Sequence, residues 1–338
     1  YHSLDGHSGL LGHGWMFTYG AKLIEVTDGA SRFVIIRRPD GQRDRFYENA
    51  DGTYNNAPGV FDTLVKGSDT WHLVQKSGTV LTFDQPGNLL QIDFRTLHKV
   101  SLTYNSAGSL TSVSDDYGRS LQITTGANGK ISAIIDPAGR QTDYEYDANG
   151  YLISVINPIG AITRYTYDDR GNLVTVKSPS GDTVASVAYN SDGRVSSYTE
   201  EGVTYNMTYF PNAGKVVETS ARGTRTLFYN EHANITNKID VLGNTERFGF
   251  DAQYNLARVV DKNGNATVYS HDARGNIIQK TDPLGIVTTY EYDSVFNQVT
   301  RTIEPGRTNV FSYDASGNLI EHSVSVANSS RTWRYTYD

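Results

Sequence analysis

Cysteine is absent from this 338-residue chain. That excludes disulfides and thiolate metal ligands, but it leaves export open. No apolar run approaches the roughly 20 residues that a membrane-spanning helix needs. No segment sustains a helical hydrophobic period either. Positive charge is in deficit: the formal net charge is −7 and the pI is near 5.6. A nucleic-acid partner would need a basic surface for its phosphates, so that class is excluded. Neither a Gly-x-Ser-x-Gly nucleophile elbow nor a phosphate-cradling loop occurs. Hydrophobic residues are 38% of the chain, low for a compact core.

Glycine (32) and tyrosine (23) are abundant instead, which suits short strands, tight turns and a thin apolar layer. The tyrosines are periodic. An aromatic followed by Asp or Asn opens a Gly-containing turn, a second turn follows, and the aromatic returns. The marks fall at Phe83, Tyr104, Thr125 (degenerate), Tyr146, Tyr167, Tyr189, Tyr209, Tyr229, Phe250, His271, Tyr292, Tyr313 and Tyr337. Spacing is 20 to 22 residues, except for 24 at the last step. A fixed period of this length identifies an array.

Each unit holds two short strands. The first turn is Asp-x-x-Gly-Asn, as at Asp168 to Asn172 through Gly171 and Asp314 to Asn318 through Gly317, with a close copy at Asp147 to Gly150. Asp accepts backbone N–H bonds locally, and Gly supplies the positive φ. The second is Asp-Pro-x-Gly, as at Asp136-Pro137-Ala138-Gly139 and Asp282-Pro283-Leu284-Gly285, which matches a type I turn. Between turns, pairs such as Tyr165 and Tyr167 lie two apart and share one face of a strand. The unit is therefore a β-hairpin, and equivalent tyrosines on neighbouring hairpins are expected to stack as an aromatic ladder. Tyr254 and Phe296 stand where Gly is expected, which predicts changed turns there.

Residues 1–80 do not follow the period. They read as a β-rich N-terminal segment that caps the array of about twelve units over 81–338. Their most distinctive stretch is Gly9-Leu10-Leu11-Gly12-His13-Gly14-Trp15, where Gly12 and Gly14 imply a tight backbone pass and Trp15 an anchor.

The tandem Tyr-Asp-x-x-Gly-Asn units interleaved with Asp-Pro-x-Gly resemble the YD repeats of the Rhs family, and the segment ending at Trp15 is similar to the stretch that precedes those repeats. That family includes bacterial polymorphic toxins, the C components of Tc toxins and the shell of animal teneurins. The resemblance implies an all-β, spirally wound ribbon forming part of a hollow shell. It also implies a bacterial secreted or cell-surface protein whose shell encloses a C-terminal toxic domain. The family's closing, self-cleaving core is missing: after Asp282 to Gly285 the sequence continues as an ordinary repeat. The chain reads as a segment of a longer protein.

Size limits the expectation. Twelve units give about 24 strands, a ribbon of about 115 Å and a single circle of radius near 18 Å. Such a stretch curves around a guest without sealing it.

Other features carry bland readings that outweigh sharper ones. His2, His7 and His13 match no zinc spacing. His271 replaces a mark aromatic, so ladder packing explains it. Adjacent acids such as Asp115-Asp116 and Asp168-Asp169 point to opposite strand faces and serve turns better than acid–base chemistry. Arg37, Arg38, Arg43 and Arg45 flank one hairpin and read as a solvated face. No catalytic, cofactor or metal residues are assigned. The expected role is a non-enzymatic shell segment, with the remainder of its own chain as partner. An extracellular module that binds cell-surface glycans through exposed tyrosines is the competing expectation.

Overall fold

A computed structural model describes residues 1–4, 6–29, 31–94 and 98–337. The architecture is all-β, with one short 3-10 turn at Pro211–Ala213. A single antiparallel sheet of 27 strands runs from Thr63–Lys66 to Ser329–Arg334. Each strand pairs with its neighbours in sequence. Among the described residues the first and last strands are not paired with each other, so the sheet is an open ribbon. Ahead of it stand a minimal pair, Ser8–Gly9 with Gly12–His13, and a four-stranded sheet, Lys22–Asp28, Ser31–Arg37, Arg43–Glu48 and Tyr54–Asn56. The ribbon thus begins two strands before Val80–Asp84, which carries the first aromatic mark.

The strands Gln141–Tyr146, Leu152–Ile156 and Ile162–Tyr167 show why the sequence folds this way. In the first turn, Gly150 N–H donates to Asp147 O and Asp147 N–H donates to Tyr151 O, both at 3.0 Å. Asp147 Oδ1 accepts from the N–H groups of Asn149 and Tyr151. The next turn, Asn157 to Ala161, repeats this pattern with Asn157 Oδ1 as acceptor. Gly150 and Gly160 have φ of 80° and 79°. Most turns on both edges therefore use one geometry, a type I turn followed by a left-handed bulge residue, whereas the second edge also closes on two-residue loops between Glu200 and Val203, Ser220 and Gly223, Glu304 and Arg307, and Val326 and Ser329. The two sequence patterns differ in composition only.

Of the two expected exceptions, one holds. At Asp293 the turn closes on Gln298, one residue longer than usual, and Asn297 rather than Phe296 takes the positive φ of 56°. Tyr254 instead keeps the ordinary turn at φ 63°, with its N–H donating to Asp251 O. Its ring is seated on His232 at 4.2 Å, and its hydroxyl lies 3.0 Å from His232 Nε2, contacts that offset the backbone strain.

The core lies between the leading sheet and the first hairpins. Val34, Ile36 and Phe46 pack with Trp71, Leu73 and Phe83, all at most 2% exposed. Burial then follows the residue after each Gly-Asn turn. Leu89, Leu110, Ile131 and Leu152 are at most 1% exposed, whereas Leu256 in the same role is 37% exposed. Each full burial contributes about 1.5–3 kcal/mol. The leading segment covers the buried ones.

The ribbon coils back on its own start. Lys76 Nζ donates to Gly275 O at 2.6 Å, and the Phe61 ring lies against Gly275. Gly59 meets Tyr254. Nineteen strands, from Val80–Asp84 to Ala266–His271, complete that return. At about 4.8 Å per strand the coil is about 90 Å around. The single circle of about 24 strands is thus replaced by a tighter coil with the beginning of a second. The edges in contact are opposite ones, because the Gln75 to Thr79 turn alternates with the Asp84 to Asn88 turn. A coil that meets its own opposite edge advances by one strand length per revolution.

Candidate functional site

The recurring side chains form two ladders along the ribbon. The first is built by the mark tyrosines. Tyr146 Oη donates to Ile131 O at 2.7 Å, Tyr167 Oη to Leu152 O at 2.6 Å and Tyr189 Oη to Leu173 O at 2.8 Å. Tyr104, Tyr209, Tyr292, Tyr313 and Tyr337 do the same to Leu89, Val195, Ile277, Val299 and Leu319. Each ring thus reaches back about 15 residues to the carbonyl that follows the preceding turn. The expected stacking of successive marks is replaced by this O–H···O=C ladder. The signal was present in the sequence: Tyr occupies nine of thirteen marks, although Phe would stack equally well. Phe83 and Phe250 have no hydroxyl to donate, and Tyr229 is held through its backbone N–H to Gly214 O.

Burial raises the Tyr104 pKa to about 12 and those of Tyr146 and Tyr167 well above the ordinary value. The neutral donor form is therefore favoured.

The second ladder is the turn acids. The backbone N–H of Arg140, with donors from its guanidinium and from Ala138 N–H, holds the Asp136 carboxyl below the ordinary range. Asn318 holds Asp314 down through backbone and side-chain amides. Asp168 is lowered by Asn172 in spite of partial burial. These carboxylates accept bonds inside their own turns, an arrangement that forms hairpins and leaves no convergent acid pair for hydrolysis among them.

The leading segment runs along the Gly-Asn edge and bonds to it. Gly12 passes so close that a Cβ would lie 3.0 Å from Gly150 O and 3.5 Å from the Tyr146 ring. At Gly14 a Cβ would fall 2.5 Å from the Tyr1 ring. Trp15 Nε1 donates to Tyr167 Oη at 2.8 Å, and its ring meets Tyr165 at 4.8 Å. Tyr1 Oη donates to Gly171 O and accepts from Leu173 N–H. Leu10 O accepts from Ile131 N–H. The structure thus brings Gly12, Gly14 and Trp15 to Tyr146, Gly150, Tyr167 and Gly171. It places Asp136 to Gly139 and Asp282 to Gly285 on the opposite edge, where Leu284 is 84% exposed.

Among the described residues no group of three or more His, Asp or Glu is placed to hold a metal ion. His13 packs edge-on against Tyr151. Among the same residues no helix is long and apolar enough to cross a membrane.

Residues 127–158, 146–183 and 271–309 match a family model described as RHS Repeat. Over 91 residues the chain is 34% identical to the tRNA nuclease WapA of Bacillus subtilis strain 168, which is 27% of this chain and 4% of that protein. The tRNA3(Ser)-specific nuclease WapA of Bacillus spizizenii matches at the same identity and coverage. Among solved structures, a TcdB2-TccC3 crystal structure covers 88% of this chain and 18% of its own, at TM-score 0.53 and 13% identity. The Photorhabdus luminescens Tc holotoxin pore aligns with TM-score 0.51 over 87% of this chain, at 13% identity and 18% of its own length. This chain therefore spans a small part of the proteins it matches. The aromatic period, the Asp-closed turns and the family match over 127–183 and 271–309 agree: the chain carries repeats of the Rhs/YD type.

Proposed function

We propose that this chain is a non-enzymatic length of wall in an Rhs-type shell, secreted or displayed by a bacterium, that encloses or presents a C-terminal effector of the same protein. The observation that carries this reading is the occupation of the recurring polar groups by the ribbon itself. Mark hydroxyls donate to backbone carbonyls and turn carboxylates accept backbone N–H groups. Repetition here serves the wall. The tRNA nuclease relative fits this division of labour, because the aligned 91 residues are 4% of its length. The partner is accordingly the remainder of the chain's own protein.

Protease challenge of the full-length protein tests the idea. The effector region should survive while the wall is intact and become susceptible once the wall is unfolded. Digestion of that region at the rate of the free domain would refute enclosure. The glycan-binding reading rests on rings such as Tyr117, which is 66% exposed beside His98. Glycan-array binding lost in Tyr117→Ala would favour it. The mark tyrosines, held by backbone carbonyls, favour the wall.

A further inference from the structure

Asparagine precedes glycine three times in this sequence, at Asn128-Gly129, Asn149-Gly150 and Asn263-Gly264. All three pairs sit in the same kind of turn. The asparagine is exposed, and the glycine N–H donates across the turn, to Gly126 O, Asp147 O and Asp261 O respectively. Their surroundings differ. Lys130 Nζ lies over Gly150, 2.9 Å from the point a Cβ would occupy. Gly12 passes close to Gly150 O, and the Tyr151 ring that follows is stacked on Tyr167 at 5.1 Å and met edge-on by His13. The Asn128 side chain is engaged within its turn, where its Oδ1 accepts from Lys130 N–H at 3.0 Å. Just beyond, Ile131 N–H donates to Leu10 O of the leading segment. Asn263 lies on the opposite edge, which the leading segment does not follow. Among the described residues nothing comes within 4 Å of a methyl group placed on Gly264. An exposed ion pair from Lys262 to Asp240 ties this turn to its neighbour.

We propose that Asn263-Gly264 is a site of spontaneous deamidation, and that contact with the leading segment protects Asn128 and Asn149 from the same reaction. The Gly264 nitrogen attacks Asn263 Cγ and closes a succinimide ring, while the Asn263 side-chain nitrogen leaves as ammonia with the Gly264 amide proton. Water then opens the ring at either carbonyl, which leaves aspartate or isoaspartate. Glycine permits the attack because no Cβ shields its nitrogen. In the closed turn that nitrogen is committed to Asp261 O, so reaction needs the turn to open locally. Opening at Asn263 gives up the turn's own bonds and a surface ion pair, a kind of contact that contributes little. Opening at Asn149 or Asn128 also gives up contacts with another element. The product carries a new negative charge in the Asp261 turn and, as isoaspartate, an extra backbone atom.

Incubation of the whole chain at mildly alkaline pH, followed by peptide mapping with mass spectrometry, tests this. Asn263 should convert about tenfold faster than Asn149 or Asn128, a ratio equivalent to ~1.4 kcal/mol of added opening cost. In urea, where the turns are gone, the three rates should converge. Trp15→Ala removes the ring that meets Tyr165 and the indole bond to Tyr167. It should loosen the leading segment and speed Asn149 while leaving Asn263 unchanged. The proposal is overturned if Asn149 or Asn128 keeps pace with Asn263 in the folded chain, or if Asn263 stays intact over a period that converts the unfolded chain. It is equally overturned if the ranking persists in urea, which would assign it to the neighbouring sequence, or if Trp15→Ala leaves Asn149 as slow as before.

Discussion

A single hydroxyl separates the mark tyrosines from phenylalanine, and it decides how the hairpins lock together. Each such bond is worth about 0.5–1.5 kcal/mol net. Tyr292→Phe, whose hydroxyl donates to Ile277 O, should lower stability by about 1 kcal/mol in chemical denaturation. Tyr167→Phe should cost more, about 1–3 kcal/mol, because it also strands the Trp15 indole N–H that its hydroxyl accepts. Equal losses in the two variants would argue against the shared bond. The same hydroxyls predict an alkaline limit. Tyr104 is raised from 10.0 to about 12 by burial, so its contribution is complete below pH 10.0 and disappears as pH climbs toward 12. Tyrosine absorbance and circular dichroism should change together over that interval. The turn acids act in the opposite direction. Asp136, Asp240 and Asp314 are lowered from 3.8, so their support is complete above that value and fades as pH falls through the lowered ones. Asp314→Asn should be well tolerated at neutral pH, since Asn157 closes the same turn, and should remove part of the acid sensitivity.

Within the elements, glycine has two separate duties. Gly160 needs only the positive φ, with nothing within 4 Å of the point a methyl group would occupy, so Gly160→Ala should cost about 1–2 kcal/mol. Gly87 has φ 83°, and a Cβ there would lie 2.0 Å from Leu23 O, where the leading sheet hydrogen-bonds to the ribbon. Gly87→Ala should therefore cost clearly more and expose the Leu23 region to hydrogen exchange. If the two variants melt alike, the close approach is not what Gly87 protects. Sequence alone marks both residues as turn glycines, because the turn pattern is local. Which of them faces another element depends on which edge the leading segment follows. Tyr254 teaches the same lesson: its side chain predicts a broken turn, yet contact with His232 holds the usual one.

For the whole molecule, the coil is held at few places. Lys76 and Phe61 meet Gly275 where the ribbon returns. In a repeat array each unit leans on its neighbours, so loss of a long-range contact should loosen one stretch and spare the rest. Phe61→Ala is expected to speed amide exchange in strands Thr245–Phe250 and Ala266–His271 while leaving Gln141–Tyr146 unchanged. A uniform rise across the ribbon would contradict a local clasp. The terminal strands, Thr63–Lys66 and Ser329–Arg334, each present an edge unpaired among the described residues, which favours association of chains in solution. Light scattering that reports a strict monomer at all concentrations would count against this.

By itself the sequence determined the hairpin unit, its turns, its period and the all-β class, because these follow from φ preferences, side-chain acceptors and strand alternation over a few residues. Its resemblance to a repeat family followed from the same marks. Only the tertiary structure decided the coil's circumference, the edge that the leading segment follows and which turn glycines meet another element. Curvature is the sum of small twists over nineteen strands, and no single unit encodes it. Most turns on the two edges share one geometry, so the turn pattern alone does not say which edge residues 1–76 contact. Tyr1 and Gly171 stand 170 residues apart in sequence and are joined by a hydrogen bond only in the folded chain.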